Sequence, residues 1–173
     1  MLRMNKSKEK HNLFPLVDQE QFKQVIGHFA SGVTIITVRN NDVDFGITAS
    51  AVCSVSVDPP MLLVCVNKST GTCHAISAAE SFTVNIVSET QKELALKFAR
   101  ANTDKFEGTD FTYGELGNPV LGQTLATLEC RVVEEVTGGT HSVFLGEVQK
   151  AYASDGEPLV YYRGKFGKFE EAK

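Results

Sequence analysis

From Ile47 to Val57 the chain alternates with a period of two. Ile47, Ala49, Ala51, Cys53, Val55 and Val57 are apolar, and Thr48, Ser50, Ser54 and Ser56 carry hydroxyls; only Val52 breaks the pattern. That period specifies a strand with one dry face and one hydroxyl-bearing face. A face turned to bulk water usually carries charge, and this one has none before Asp58. A neutral, hydroxyl-lined face suits a sheltered polar ligand. Asp58-Pro59-Pro60 stops the ladder, because proline lacks an N–H and fixes φ. Met61 to Val66 is then continuously apolar, as in a strand buried on both faces. Asn67-Lys68-Ser69-Thr70 follows, with one cation, two hydroxyls and an amide, a set able to hold a phosphate.

The flanking sequence supplies further strands. Val33 to Val38 is rich in β-branched residues. Ser81 to Val87, Leu125 to Val136, His141 to Ala153 and Leu159 to Tyr162 read as strands, with turns at Asn40-Asn41-Asp42, Thr137 to Thr140 and Asp155 to Pro158. Asp18 with Gln21 forms a capping box ahead of a helix bearing Phe22, Val25, Ile26 and Phe29. Thr90 with Glu93 forms a second, ahead of Leu94 to Ala99. A short helix fits His74 to Ala79, and residues 101–123 read as a long loop, a length that is often functional. Many strands joined by turns favour an antiparallel barrel over a parallel sheet. An eleven-residue strand would span ~35 Å at ~3.3 Å per residue, long enough to require coiling.

At 173 residues the chain is long enough for one well-filled core. We expect a mobile segment over residues 1–17 and a single domain over 18–173. The net charge of -4 and the lack of tryptophan argue against a nucleic-acid or anionic-membrane surface. No apolar run reaches the roughly 20 residues of a membrane helix. The basic N-terminus has no apolar segment behind it, so a cytoplasmic protein is expected. Cys53, Cys65, Cys73 and Cys130 form no C-x-x-C pair, and the histidines have no metal spacing, so no metal site is expected. Cys53, Cys65 and Cys130 read as buried thiols. Nucleotide-binding glycine motifs and hydrolase motifs are absent from the sequence.

The stretch from Gly46 to Asn67 resembles the short-chain flavin reductase family, the reductase components of two-component flavin-dependent aromatic monooxygenases, the 4-hydroxyphenylacetate type among them. The likeness runs from about Gln21 to Phe166. It takes in Phe29 to Thr37, Phe82-Thr83-Val84-Asn85, Asp104-Lys105-Phe106, Gly139-Thr140-His141 and Tyr162 to Phe166. The resemblance implies a mainly β fold with flanking helices, a flavin reductase-like antiparallel split β-barrel that forms a homodimer. It implies an NAD(P)H-dependent flavin reductase, with FAD or FMN reduced by NADH or NADPH and the reduced flavin passed to a separate oxygenase. Carried onto this chain, Gly46, Ile47, Thr48, Ala49, Ser50, Val52 and Cys53 line the flavin ring. Asn67, Lys68, Ser69 and Thr70 lie at the phosphate, with Lys105 as a second phosphate candidate. His141 and the tail Arg163, Gly164, Lys165 and Phe166 receive the nicotinamide nucleotide, His141 as the catalytic candidate. Many family members carry aspartate where this chain has Thr140, so the support for His141 differs here. The rival reading is a flavin-binding electron carrier or store without turnover, which would need no nicotinamide site.

Overall fold

The computed structural model describes residues 15–101 and 104–172. The expected mobile segment therefore lies, up to residue 14, outside the described residues. Asp18 caps α1 (Gln19–Ile26) by accepting from the Gln21 N–H at 2.8 Å. The helix buries none of its residues, and Phe22, Val25, Ile26 and the following Phe29 are all exposed. Its apolar stripe thus has no partner within the described chain.

The strands are β1 (Ser31–Gly32), β2 (Thr34–Asn40), β3 (Val43–Ala49), β4 (Val52–Val57), β5 (Pro60–Asn67), β6 (Ser81–Ile86), β7 (Phe111–Tyr113), β8 (Pro119–Leu121), β9 (Ala126–Gly138), β10 (His141–Ala153), β11 (Leu159–Tyr162) and β12 (Lys165–Lys168). The other helices are α2 (Gly71–Ala79) and α3 (Lys92–Ala99). Seven strands make the main antiparallel sheet, in the order β3-β2-β6-β9-β10-β5-β4. A small sheet, β1-β11-β12, and the β7-β8 hairpin flank it. Mainly β, antiparallel architecture with few helices is thus present. Closure is not: β3 and β4 are the sheet's two edges, and no ladder among the described residues joins them.

The long strand expected from Ile47 to Val57 is two strands. The chain leaves the sheet at Ser50-Ala51 and rejoins it at the opposite edge. Val52, the residue that broke the alternation, marks a change of parity. Ile47 and Ala49 pack on the core, and so does Val52. Beyond it Cys53, Val55 and Val57 point away and are exposed, Val57 by 92%. From Phe45 to Ala49 the odd positions therefore pack on the core, whereas in β4 they face out, and Cys53 is not the buried thiol expected.

Two cores result. Ile36, Val38, Leu62, Val64, Val66, Phe82, Val84, Phe144 and the inner face of α2 form the larger. Val33, Ile35, Val87, Ala95, Phe98, Leu121 and Leu159 form the second. Burial on both sides explains the unbroken β-branched run of β2. In β5 only Leu62, Val64 and Val66 are fully buried, so this strand alternates rather than being dry on both faces. The second capping box sits two residues earlier than expected: Gln91 Oε1 accepts from the Ser88 N–H at 3.0 Å, and a 3-10 turn (Glu89–Gln91) precedes α3. The long loop contains the β7-β8 hairpin. No helix among the described residues is long and apolar enough to cross a membrane.

Candidate functional site

Edge strand β3 is flanked by three recesses. Along Ile47 to Ala51 one recess opens toward β5, lined also by Cys65, Val66, Asn67 and His141. A second, against Thr48, Ala49 and Ser50, is walled by Val33, Ala99, Tyr161 and Phe166. Near the start of β3, Asp44 to Ile47 face Ser69 to Thr72, Ala99 to Ala101 and Asp104 to Phe106 across a cavity of about 410 Å³. Because β3 has a ladder partner on one side only, alternate amides and carbonyls on its other edge face these recesses without a strand.

The hydroxyls are not equivalent. Thr48 donates to the Ala95 carbonyl at 2.6 Å and so fastens α3 to the strand. Ser50 is exposed at the point where β3 ends. The Asn67–Thr70 turn is self-bonded. Asn67 Oδ1 accepts from the Ser69 amide at 2.9 Å and hydroxyl at 2.8 Å, and Thr70 Oγ1 caps α2 by accepting from the Cys73 N–H. This turn leaves the Gly71 and Thr72 amides without a partner among the described residues, and both residues line the large cavity. Two free amides at a helix N-terminus attract an anion. Gly71 is small for a reason: a Cβ there would lie 3.3 Å from the Phe45 ring.

Of the cations, Lys68 donates to the Gly139 carbonyl at 3.0 Å. Lys105 is half-buried and donates to the carbonyls of Gly46 at 2.8 Å and Phe98 at 2.9 Å. Burial holds its pKa below the ordinary lysine value. Lys105 therefore ties the 104–109 loop to β3 and α3 while lining the cavity. His141 lies opposite Asn67 across the β5-β10 ladder, with Nδ1 3.0 Å from the Thr140 hydroxyl. That hydroxyl gives the imidazole a neighbour of its own.

The β11-β12 hairpin turns on Arg163 and Gly164, both at positive φ (49° and 79°), the geometry of a two-residue type I′ turn. Arg163 donates its N–H to the Gly27 carbonyl, docking the hairpin beside α1. Phe166 packs edge-on to Tyr161 and walls two recesses, the one along Thr48 to Ser50 and another with Tyr162, Arg163 and Lys165. The fold thus brings Gly46 to Ser50, Asn67, Ser69, Thr70, Lys105, His141 and Phe166 around one strand. Val52 packs on the core and Cys53 sits on β4, at the far edge of the sheet from β3. Phe45, Arg100 and Tyr161 line the recesses and were not singled out from sequence. Tyr161 adjoins the Arg163–Phe166 motif and was findable from it; Arg100 had no local signal.

Known proteins resemble this chain over most of its length. The model described as flavin reductase like domain matches residues 26–170. The reductase component of 4-nitrophenol 4-monooxygenase/4-nitrocatechol 2-monooxygenase from Rhodococcus opacus is 48% identical over 160 residues, 92% of this chain and 86% of that one. The flavin-dependent monooxygenase reductase subunit HsaB from Mycobacterium tuberculosis is 34% identical, over 91% of this chain and 86% of its own length. Among solved structures, the NADH:FAD oxidoreductase SgcE6 of Streptomyces globisporus C-1027, in complex with NAD and FAD fragments, superposes with a TM-score of 0.84 at 34% identity. It covers 91% of this chain and 98% of that one. Flavin reductase PheA2 superposes with a TM-score of 0.83 at 34% identity, over 90% and 100%.

Proposed function

Because the chain belongs to the flavin reductase-like domain family, we propose that it is an NAD(P)H:flavin oxidoreductase that reduces FAD or FMN and releases the reduced flavin to a separate aromatic-ring monooxygenase. The observation that carries the reading is the convergence on β3. An edge strand with unpaired main-chain groups lies between an aromatic wall, Tyr161 and Phe166, and a corner of free amides at Gly71 and Thr72. A neutral strand edge suits the amide-like rim of an isoalloxazine, and the free amides suit its phosphate.

When bound, the flavin supplies the hydride acceptor and the nicotinamide the donor. The chain's own residues bind and orient. Outward main-chain N–H groups along Ile47 to Ser50 would bind the flavin where negative charge develops on reduction. The Gly71 and Thr72 amides would hold the phosphate, and Lys105 ties the 104–109 loop to β3 and α3 beside it. His141, beside the Thr140 hydroxyl, and the Arg163–Phe166 hairpin would receive the nicotinamide nucleotide. No protein acid or base is required for hydride transfer.

In this reading residues 18–173 are one domain of a cytoplasmic split-barrel homodimer. The exposed stripe of Phe22, Val25 and Phe29 and the exposed valines of β4 support a second copy as the missing cover. Light scattering on the purified protein should give twice the chain mass. The deciding assay is NADH and NADPH oxidation in air with FAD, FMN or neither. Oxidation that requires added flavin supports the reductase. Flavin binding without oxidation of either nucleotide overturns it in favour of a carrier.

A further inference from the structure

A separate cavity of about 340 Å³ lies under the β7-β8 hairpin, walled by Tyr113, Glu115, Val120, Glu129 and Tyr152. It shares no lining residue with the recesses along β3. Glu129, on β9, is only 1% exposed. One of its carboxylate oxygens is committed: Oε2 accepts from the Leu116 N–H at 2.9 Å and pins the turn that follows β7. The turn lies so close that a Cβ on Gly114 would strike this oxygen. The other oxygen, Oε1, accepts from no described residue. It is not sealed in protein either, since Thr83 Oγ1 is the one sealed side-chain atom without a partner among the described residues. Oε1 therefore opens on the cavity that Glu129 lines.

Charge is also out of balance here. Lys150 stands across the β9-β10 ladder from Glu129, but its ammonium is held by Glu115 at 2.9 Å. The hydrogen bond and charge of Glu115 raise the Lys150 pKa, and Glu129 adds to this. Arg39, over the Tyr113 ring, is paired with Asp42 and Asp44. Glu115 and Glu129 thus share one ammonium, and the buried carboxylate has no cation of its own among the described residues. Leaving a buried carboxylate unpaired is costly. Tyr152, more than half exposed, and Val120 add aromatic and apolar surface beside it.

We infer that this cavity binds a small arylalkylamine in its ammonium form, the ammonium donating to Glu129 Oε1 and the ring lying against Tyr152 and Val120. The inference stands apart from the flavin reading. The volume falls within the roughly 300–1,000 Å³ of small-molecule sites. An ammonium brings the charge that Glu129 lacks and is attracted by an aromatic face. A bare metal ion is less well served, because no group of three ligating side chains occurs among the described residues.

The test is calorimetric titration of the full-length protein at neutral pH with benzylammonium and with benzyl alcohol, which has nearly the same shape and no charge. The wild type should bind the ammonium about tenfold more tightly than the alcohol. Glu129→Gln keeps an acceptor for Leu116 and removes the charge, so the preference should fall to about twofold or less. Tyr152→Ala, at an exposed position, should weaken the ammonium about threefold. Equal wild-type affinities, or saturable binding of neither probe, would overturn the inference without recourse to any variant. An undiminished preference in Glu129→Gln, or an unchanged ammonium affinity in Tyr152→Ala, would overturn it as well.

Discussion

Gly46→Ala is the substitution whose cost the structure lets one work out. Gly46 is buried in β3, and a Cβ there would lie 2.5 Å from Phe98 Cε1 and 2.7 Å from Cδ1. The Phe98 ring is fully buried and held edge-on by Phe106, with centroids 5.2 Å apart, so it has no room to swing clear. Overfilling a packed core costs about 1–3 kcal/mol. The Gly46 φ is not in the left-handed region, so alanine also removes unfolded-state freedom worth about 0.4–1 kcal/mol in the opposite sense. The strain wins, leaving a net loss of about 1–2 kcal/mol. For a chain of this size that lowers Tm by roughly 2–8 °C at about 2–4 °C per kcal/mol. The assay is thermal unfolding by circular dichroism at one fixed protein concentration, for the two single variants Gly46→Ala and Phe98→Leu and for the double. Leucine removes the offending ring edge, so the double variant should recover part of the alanine penalty, a coupling of about 0.5–3 kcal/mol. An alanine variant that melts at or above the wild type, or a cycle without coupling, would refute the steric argument.

Thr83 Oγ1 is buried without a hydrogen-bond partner among the described residues, so Thr83→Val should raise stability by about 1–3 kcal/mol; a lower Tm would mean that the hydroxyl is satisfied. Burial, and secondarily Glu129, push the Cys130 thiol up to about 12. Its folded value therefore lies above its unfolded one, and its contribution is complete below pH 9 and is lost as pH rises toward 12. Urea midpoints from pH 8.5 to 10.5 should fall less steeply for Cys130→Ala than for wild type, and parallel curves would contradict this assignment. Ser50→Leu, at an exposed strand end, should abolish flavin binding while leaving Tm unchanged; retained affinity would remove Ser50 from the site.

What the sequence disclosed depended on whether a signal was local. Alternation through Ile47 and Ala49 gave the right core-facing parity for the last three residues of β3, though not its start at Val43, because side-chain parity is set by one strand's own pleat. The same alternation misled beyond Val52, because a chain that changes edges resets its parity and neighbour identity leaves no trace in a period of two. The hydroxyls of Ser69 and Thr70 were visible in the sequence, but that α2 begins at Gly71 rather than at the expected His74, with Thr70 as its cap, was not. That the Lys68 ammonium bonds Gly139 was not legible, since the β5-β10 register brings together residues some 70 positions apart. Arg100 belongs to the same class: only the folded loop carries it to the cavity wall. The exposed face of α1 showed a helical stripe in the sequence, but a stripe does not say which surface covers it.

The placement of β3 at an edge also bears on how such a site can diverge. Main-chain amides are supplied by every residue except proline, so recognition built on them persists as side chains drift. On the proposed reading, descendants of this chain would keep the ability to seat a flavin long after the hydroxyls and the aromatic wall had been exchanged. Their choice of nucleotide and of downstream enzyme would change first, and a proline introduced between Ile47 and Ser50 would be the change least tolerated.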